Sequence, residues 1–250
     1  MSGHSKWSTI KRQKGANDAK RGAIFTKVAR EIMVAARAGG GDPDANYRLR
    51  LAMDKARAVN MPLDNIKRAI ERATGSGDGE QFEEIIYEGY GPGGVAVLVE
   101  AATDNRNRTA SDVRALFTKA GGQLAGSGAV AWQFESRGLI TIPAAGADPD
   151  EIALVAIDAG ASDVDTSDPD QVEVWTDPAD LEMVRRGLEA SKVAVESAEQ
   201  TMVAKNLVEL DAQRARQTLR LIDLLEELDD VQRVTANFDI PEEIFAEVAG

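Results

Sequence analysis

LITIPAAGADPDEIALVAIDAGASDVDTSDPDQVEVW, residues 139–175, is a compact succession of strand and helix patterns and sets the architecture of the chain. Together with the residues that follow, it predicts six elements in the order strand 139–142, helix 150–159, strand 163–165, strand 171–175, helix 178–191 and strand 193–201. This βαββαβ order is typical of a split-βαβ, ferredoxin-like unit.

The flanking segments predict a second α/β domain that this unit interrupts. Before the unit, the sequence predicts a strand at 94–102 (GVAVLVEAA), a helix at 109–120 and a strand at 129–135. After it come a helix at 211–228 and a strand at 231–236. The first group lacks strand partners and the second can supply them. We therefore expect one split domain with the compact unit inserted in it.

The N-terminal part predicts a small helical unit preceded by an arm. Apolar residues recur at helical spacing over 19–38, a second helix runs over 45–59, and Pro62 starts a third. Residues 1–16 lack this periodicity and indicate a flexible or partner-ordered arm. Glycines at 75–79 predict a linker.

These segments together predict an α+β fold. It consists of an N-terminal helical bundle plus two α/β domains, one of them the ferredoxin-like βαββαβ unit inserted in the other. The expected boundaries are 1–78 for the arm and helical domain, 79–136 plus 203–250 for the split domain, and 137–202 for the insertion.

Charge is strongly segregated along the chain. Residues 1–74 contain sixteen Lys or Arg and seven Asp or Glu, a formal charge of +9, whereas the whole chain has −13, which leaves −22 for the rest. A polyphosphate backbone attracts such a basic region, because each neutralised phosphate releases condensed counterions. A solvated helical face is the alternative explanation.

The sequence offers little for an enzyme. It has no cysteine, and its one histidine is His4, on the arm. Catalysis by acid–base or nucleophilic groups needs a base held within reach of its target. GYGPGG (89–94) fits a dinucleotide motif but precedes a strand instead of opening a helix, so it is rejected. We expect no enzymatic activity, no cofactor and no metal, and a cytoplasmic protein without a signal peptide or membrane span.

Three segments are candidate binding sites. The arm combines cations with an indole, and Trp7 either stacks on a base or packs back on the helical unit. Arg106 and Arg108 begin a helix and fit a phosphate, unless Asp104 pairs with them in a structural turn. The glycine loop 121–128 either lets a partner approach the backbone or simply connects a helix to a strand. The nucleic-acid-binding residues that we predict are His4, Lys6, Trp7, Lys11, Arg12, Lys14, Lys20, Arg21, Lys27, Arg106 and Arg108.

The chain resembles the YebC-type family over nearly its whole length. The matching motifs are GHSKW (3–7), DAKRGAIFTKVAREI (18–32), GGGDPDAN (39–46), IIYEGYGPGG (85–94) and DNRNRT (104–109). Members are described as probable transcriptional regulators and include a mitochondrial translational activator of cytochrome oxidase subunit I. The chain departs from the family in the glycine loop, with Gln123-Leu124-Ala125 where Asn-Leu-Gly is common and Ala129 where serine is frequent.

The resemblance implies three domains, no enzymatic activity and a role in gene expression. Some members are described as DNA-binding transcription factors, and others as ribosome-associated factors that help translation past difficult stretches. The expected function is thus a non-enzymatic, nucleic-acid-binding regulator, and the alternative is a translation factor that binds ribosomal RNA or tRNA and relieves stalled translation. A pure protein-interaction module is a third possibility. The expected partners are DNA or ribosomal RNA and the ribosome, with no membrane, and the chain is expected to be a monomer.

Overall fold

The computed structural model describes residues 18–75, 82–144, 148–241 and residue 244, with side chains from residue 22 onward. Its first three helices are α1 (Asp18–Gly39), α2 (Tyr47–Ala58) and α3 (Leu63–Thr74). The Asn46 side chain caps α2, because its oxygen accepts from the Leu49 amide while its Nδ2 donates to the Ala35 carbonyl at 2.8 Å. Buried apolar residues of all three helices form one core, among them Ile32, Leu49 and Ile66.

A four-stranded antiparallel sheet follows the helices. It contains β1 (Glu83–Tyr90), β2 (Ala96–Thr103), β3 (Gln123–Leu124) and β9 (Val231–Ala236) in the order β3-β1-β2-β9. Helices α4 (Arg106–Lys119) and α7 (Ala212–Glu226) contribute Phe117, Leu221 and Ile222 to the core of this sheet. The pairing of β9 with β2 confirms that the C-terminal helix and strand complete the interrupted domain.

Two expectations for this domain were incomplete or wrong. Strand β1 was not predicted, because its buried residues Tyr87, Glu88 and Gly89 are consecutive and hide the alternation of a half-buried strand. The strand expected at 129–135 is instead a 3₁₀ turn, Ala131–Gln133, followed by a strand that begins at Phe134. The amides of Val130 and Ala131 bond to the Glu88 carboxylate, so they are not available to a neighbouring strand.

The ferredoxin-like unit is present. Its elements are β4 (Phe134–Pro143), α5 (Pro149–Asp158), β5 (Asp163–Asp165), β6 (Gln171–Thr176), α6 (Leu181–Ala190) and β7 (Ser197–Ala204). The strand order β5-β6-β4-β7 places the first and third strands of the unit at the centre, and β4 pairs antiparallel with β6. The predicted α+β class with an inserted βαββαβ unit is therefore confirmed. A short parallel pair, β8 (Val208–Glu209) with β10 (Phe238–Asp239), completes the elements.

The chain divides into two compact units. Unit 1 contains Met1–Phe134 and Ala204–Gly250, and unit 2 contains Glu135–Val203. Unit 1 includes both the three helices and the four-stranded sheet. The finer division into three domains, with boundaries near residues 78, 136 and 202, stays a prediction.

Candidate nucleic-acid interface

The residues predicted to bind nucleic acid fall into two groups. Those of the arm lie outside the described residues, namely His4, Lys6, Trp7, Lys11, Arg12 and Lys14. Lys20 and Arg21 lie in the first turns of α1, but their side chains also lie outside the described part. The side chains of Lys27, Arg106 and Arg108 are described.

Lys27 and Arg30 point from α1 toward the end of α7. Lys27 Nζ donates to the Glu226 carbonyl, and Arg30 donates to the Asp229 carbonyl. The end of a helix carries a partial negative charge on its unsatisfied carbonyls, so these two cations are well placed there. Lys27 therefore makes a contact that joins α1 to α7.

Two other arginines of the helical segment present their charge to solvent. Arg37 lies in the last turn of α1 and Arg72 in the last turn of α3, and both are exposed. They line one crevice together with Phe82 and Met33. We did not predict either as a site residue, although their positions in the last turns of two neighbouring helices were a usable signal. They form a basic pair that we call the Arg37–Arg72 pair.

The first turn of α4 is held by a buried carboxylate, that of Asp230. Asp230 Oδ2 accepts from Arg108 Nη2 at 2.8 Å and from Thr109 Oγ1 at 2.6 Å. Its Oδ1 pairs with Arg30 at 2.9 Å. Burial alone would raise the pKa of Asp230, but these partners outweigh it, and the pKa lies below its ordinary value. Asp230 thus ties α1, α4 and the start of β9 together.

The two arginines that we predicted as a phosphate site have different surroundings in the structure. Arg108 also donates to Asp104 at 2.8 Å, so the structural turn left open by the sequence is observed. These two carboxylates raise the pKa of Arg108 and hold its guanidinium. Arg106 is exposed and lies 3.7 Å from the exposed Glu83, a spacing typical of a weak surface pair.

Arg106 lines an open cleft of about 540 Å³ at this end of the sheet. Glu83, Tyr87, Asp104 and Asn107 share its wall. The Asn105 side chain accepts from the Arg108 amide, so one of the free amides of the helix start is already used. With two acids in its wall, the cleft is a poorer phosphate site than the sequence alone suggested.

The glycine loop is fixed by a second buried carboxylate. Glu88 of β1 is 5% exposed, and its side chain accepts from the amides of Gly128 at 2.6 Å, Val130 at 2.7 Å and Ala131 at 2.8 Å. Burial alone would raise the pKa of Glu88, yet the three amide donors lower it below its ordinary value. The loop is therefore rigid at its base, while Gly126, Ser127 and Gly128 are exposed at its tip.

An exposed tryptophan follows this loop directly. Trp132 is 65% exposed, and its indole nitrogen donates to the Ala129 carbonyl at 3.1 Å, which orients the ring. Lys205 donates from Nζ to the Trp132 carbonyl at 3.2 Å. An oriented aromatic face beside a cation is suited to stack on an unpaired base. We missed this site because we placed Trp132 in a strand.

The described part of the chain contains neither a cluster of metal ligands nor a helix that could span a membrane. Among its residues, no group of three or more His, Cys, Asp or Glu is placed to hold a metal ion. Across the same ranges, every helix is too short or too polar to span a membrane.

Comparison with known proteins gives a consistent result. Residues 5–76 match the family model of the TACO1/YebC protein N-terminal domain, and residues 82–238 match that of the TACO1/YebC second and third domain. A probable transcriptional regulatory protein of Rubrobacter xylanophilus is 59% identical over 251 residues, covering 100% of both chains. One of the same description from Roseiflexus castenholzii is 58% identical, covering 98% of this chain and 97% of that one.

A solved structure is also similar. The crystal structure of a conserved hypothetical protein from Aquifex aeolicus has a TM-score of 0.85 and 49% identity, and the match covers 91% of this chain and 93% of that one. The resemblance inferred from the five motifs is therefore confirmed.

Proposed function

The chain belongs to the TACO1/YebC family, and from that premise we propose that it is a nucleic-acid-binding regulator of gene expression. The observation that carries the proposal is the charge segregation, with +9 on residues 1–74 of a chain whose total is −13. Such an overall charge repels nucleic acid, so binding requires a local basic surface. The description of the relatives as probable transcriptional regulators supports the same conclusion.

The proposed contact surface is the basic arm with the Arg37–Arg72 pair. Lys27 and Arg108 are engaged in contacts within unit 1, so we assign them a smaller part than the arm residues. Arg106 remains a candidate for a second contact, because its side chain is exposed. Phosphate contacts from such residues position the protein on a backbone without reading its sequence.

Replacing Lys6, Lys11, Arg12 and Lys14 with alanine is expected to weaken binding and to flatten its salt dependence. Each lost phosphate contact should reduce the slope of log K against log salt by about 0.7 to 0.9, so four losses should reduce it by about 3. The measurement is fluorescence anisotropy with a labelled oligonucleotide over a salt series. A control variant removes two exposed cations of unit 2, Arg186 and Lys192, by substitution with alanine and should leave the slope unchanged. An unchanged slope in the arm variant would remove the arm from the mechanism.

A second candidate function is a translation factor that binds ribosomal RNA. The observation in its favour is Trp132, exposed beside Lys205 on a loop fixed by Glu88. Folded RNA offers unstacked bases in loops and bulges, whereas duplex DNA keeps its bases paired and stacked. A rigid stacking face is therefore more useful on RNA than on duplex DNA.

The Trp132→Ala substitution is expected to weaken binding of single-stranded RNA by about 1 to 3 kcal/mol, the usual contribution of one base stacked on an aromatic ring. Trp132→Phe should retain most of the affinity, because it keeps an aromatic face. Ile86→Ala, at another exposed apolar position, is the control and should have no effect. If the Trp132→Ala variant bound RNA as tightly as the unchanged protein, the stacking role would be wrong.

The two candidate functions separate in a cell lysate. The lysate is sedimented through a sucrose gradient at low and moderate salt, with and without nuclease. The fractions that contain the protein are then identified by immunoblot. Comigration with ribosomal particles that survives moderate salt supports the translation factor. Absence from ribosomes, together with DNase-sensitive recovery in a nucleoid fraction, supports the transcriptional regulator.

A further inference from the structure

Unit 2 has an apolar patch on the outer side of its two helices. Leu154 and Ile157 of α5 are 65% and 58% exposed, and Met183 of α6 is 56% exposed. Leu154 and Ile157 are three residues apart and so share one side of α5. A Cβ atom built on Gly160, just after α5, would lie 3.2 Å from the Met183 methyl group. Met183 therefore lies beside the residue three positions after Ile157, and we call these three exposed side chains the α5–α6 patch.

The sequence of α5 explains why this patch exists. Residues 152–157, IALVAI, are apolar on every side of the helix. Ile152 and Ala156 are buried in unit 2, which leaves Leu154 and Ile157 on the opposite side. A helix that is apolar all round is normally buried all round. Leu154 and Ile157 on the outer side of α5 are thus apolar but remain exposed among the described residues. Clusters of exposed apolar residues mark interaction sites.

The electrostatic surroundings of the patch are strongly negative. Unit 2 contains sixteen Asp or Glu and four Lys or Arg, a formal charge of −12. Its arginines are neutralised by their own neighbours, because Arg185 pairs with Glu182 at 2.8 Å and Arg186 pairs with the same carboxylate group at 2.7 Å. Arg137 pairs with Glu135 at 2.9 Å.

Exposed acids also lie on the patch-bearing helix itself. Asp150 and Glu151 stand in its first turn and Asp158 at its end, and all three are exposed. An occupant of the patch must therefore satisfy two requirements, apolar side chains for the centre and positive charge for the rim.

We propose that the α5–α6 patch binds a basic, amphipathic segment of a protein partner. Nucleic acid does not fit, because its phosphates would meet a unit of charge −12. The same patch on a second copy of the chain does not fit either, because two equivalent acidic faces would repel each other. A segment with apolar residues along one side and Lys or Arg beside them satisfies both requirements, as in helix-in-groove recognition. The proposal is independent of the function proposed for the N-terminal region.

The test uses the full-length protein and a labelled peptide of leucine and lysine, about four helical turns long, with all leucines on one side. A peptide of the same composition in scrambled order is the first control. We expect the amphipathic peptide to bind at least about tenfold more tightly than the scrambled one, since both carry the same charge but only one has an apolar face. Equal binding of the two peptides would overturn the proposal.

Variants then map the binding to the patch. The combination Leu154→Ser, Ile157→Ser and Met183→Ser should weaken the amphipathic peptide by at least about tenfold while the protein stays folded, with only a small decrease in melting temperature, because all three positions are exposed. The matched control is Leu63→Ser with Ile86→Ser, two comparably exposed apolar residues of unit 1, which should bind as the unchanged protein does. An equal loss in this control, or no loss in the patch variant, would contradict the proposal.

A charge variant and a sedimentation experiment complete the test. Asp150→Asn, Glu151→Gln and Asp158→Asn together should weaken the peptide at low salt and have little effect at high salt, because screening already removes this attraction. Sedimentation velocity over a concentration range should show that the protein does not self-associate through the patch. Self-association that the serine substitutions abolish would assign the patch to a second copy and overturn the proposal.

Discussion

Exchanging Glu88 for glutamine is expected to lower the free energy of unfolding by about 3 kcal/mol, because a hydrogen bond to a buried charged group contributes about 1.5 to 3 kcal/mol; one of the three is lost and the other two are weakened by removal of the charge. One carboxylate oxygen accepts from Gly128, and the other accepts from both Val130 and Ala131. Glutamine offers one oxygen, so its NH2 group must face an amide that also donates. The glycine loop then loses part of its anchor.

The measurement is urea unfolding of both proteins, together with hydrogen exchange of the Gly128, Val130 and Ala131 amides. These amides should exchange faster in the Glu88→Gln variant. Glu84→Gln is a matched control, because Glu84 lies in the same strand but is exposed and pairs with Arg48 at the surface. Its loss should be below about 1 kcal/mol. Equal losses in the two variants would show that the buried carboxylate does not anchor the loop.

Replacing Asp230 with asparagine is expected to cost about 3 kcal/mol, within the range for removing one partner of a buried ion pair. The Arg30 side chain is 14% exposed, so its charge would be left largely buried without its carboxylate. Helix α1 should then loosen from the start of β9, and its amides should exchange faster. Thermal and urea unfolding measure the loss.

The stability that Asp230 contributes should also change with pH in a definite direction. The folded pKa of Asp230 lies below its unfolded value, so its contribution is complete above the unfolded pKa of about 3.9 and is lost as the pH falls through the folded pKa. The difference in stability between the two proteins should be constant near neutral pH and shrink below about pH 4. A difference that instead grew in acid would contradict the account.

Two arginine variants test whether Arg108, and not Arg106, belongs to the network of ion pairs around Asp230. Arg108→Ala should lower the melting temperature, because Arg108 pairs with Asp230 and Asp104. Arg106→Ala should not, because its 3.7 Å pair with Glu83 is exposed. Equal melting temperatures for the two variants would remove Arg108 from the structural network.

The fold could be predicted from the sequence where the local hydrophobic pattern of a segment agrees with its pairing in the sheet. Strand 231–236 was predicted at its observed bounds, and it was expected to supply a partner to the earlier strands, one of which, β2, it pairs with. Strand β1 was missed because Glu88 and Gly89 are buried for non-local reasons. Glu88 meets amides 40 or more residues away, and a Cβ on Gly89 would lie 2.6 Å from the Phe117 ring. No local pattern contains that information.

The site was less predictable than the fold for the same reason. Arg108 looked like a phosphate ligand because its partner Asp230 is 122 residues away in sequence. Lys27 bonds to a carbonyl 199 residues away. Trp132 was predicted to lie in a strand, but the amides of Val130 and Ala131 before it donate to the Glu88 carboxylate instead of to a neighbouring strand. Local spacing identifies which residues are cationic or aromatic, and tertiary contacts decide which of them face solvent.

The most direct test of the central claim is the salt dependence of binding between the purified full-length protein and a single-stranded RNA of about 20 nucleotides, compared with duplex DNA of equal length. We expect binding to at least one of them, with a log–log slope of about −3 or steeper, because at least four phosphates should be neutralised. Tighter binding of RNA would favour the translation factor, and tighter binding of duplex DNA the transcriptional regulator. No binding of either at low salt, or a slope near zero, would contradict the claim that the basic N-terminal region contacts nucleic acid.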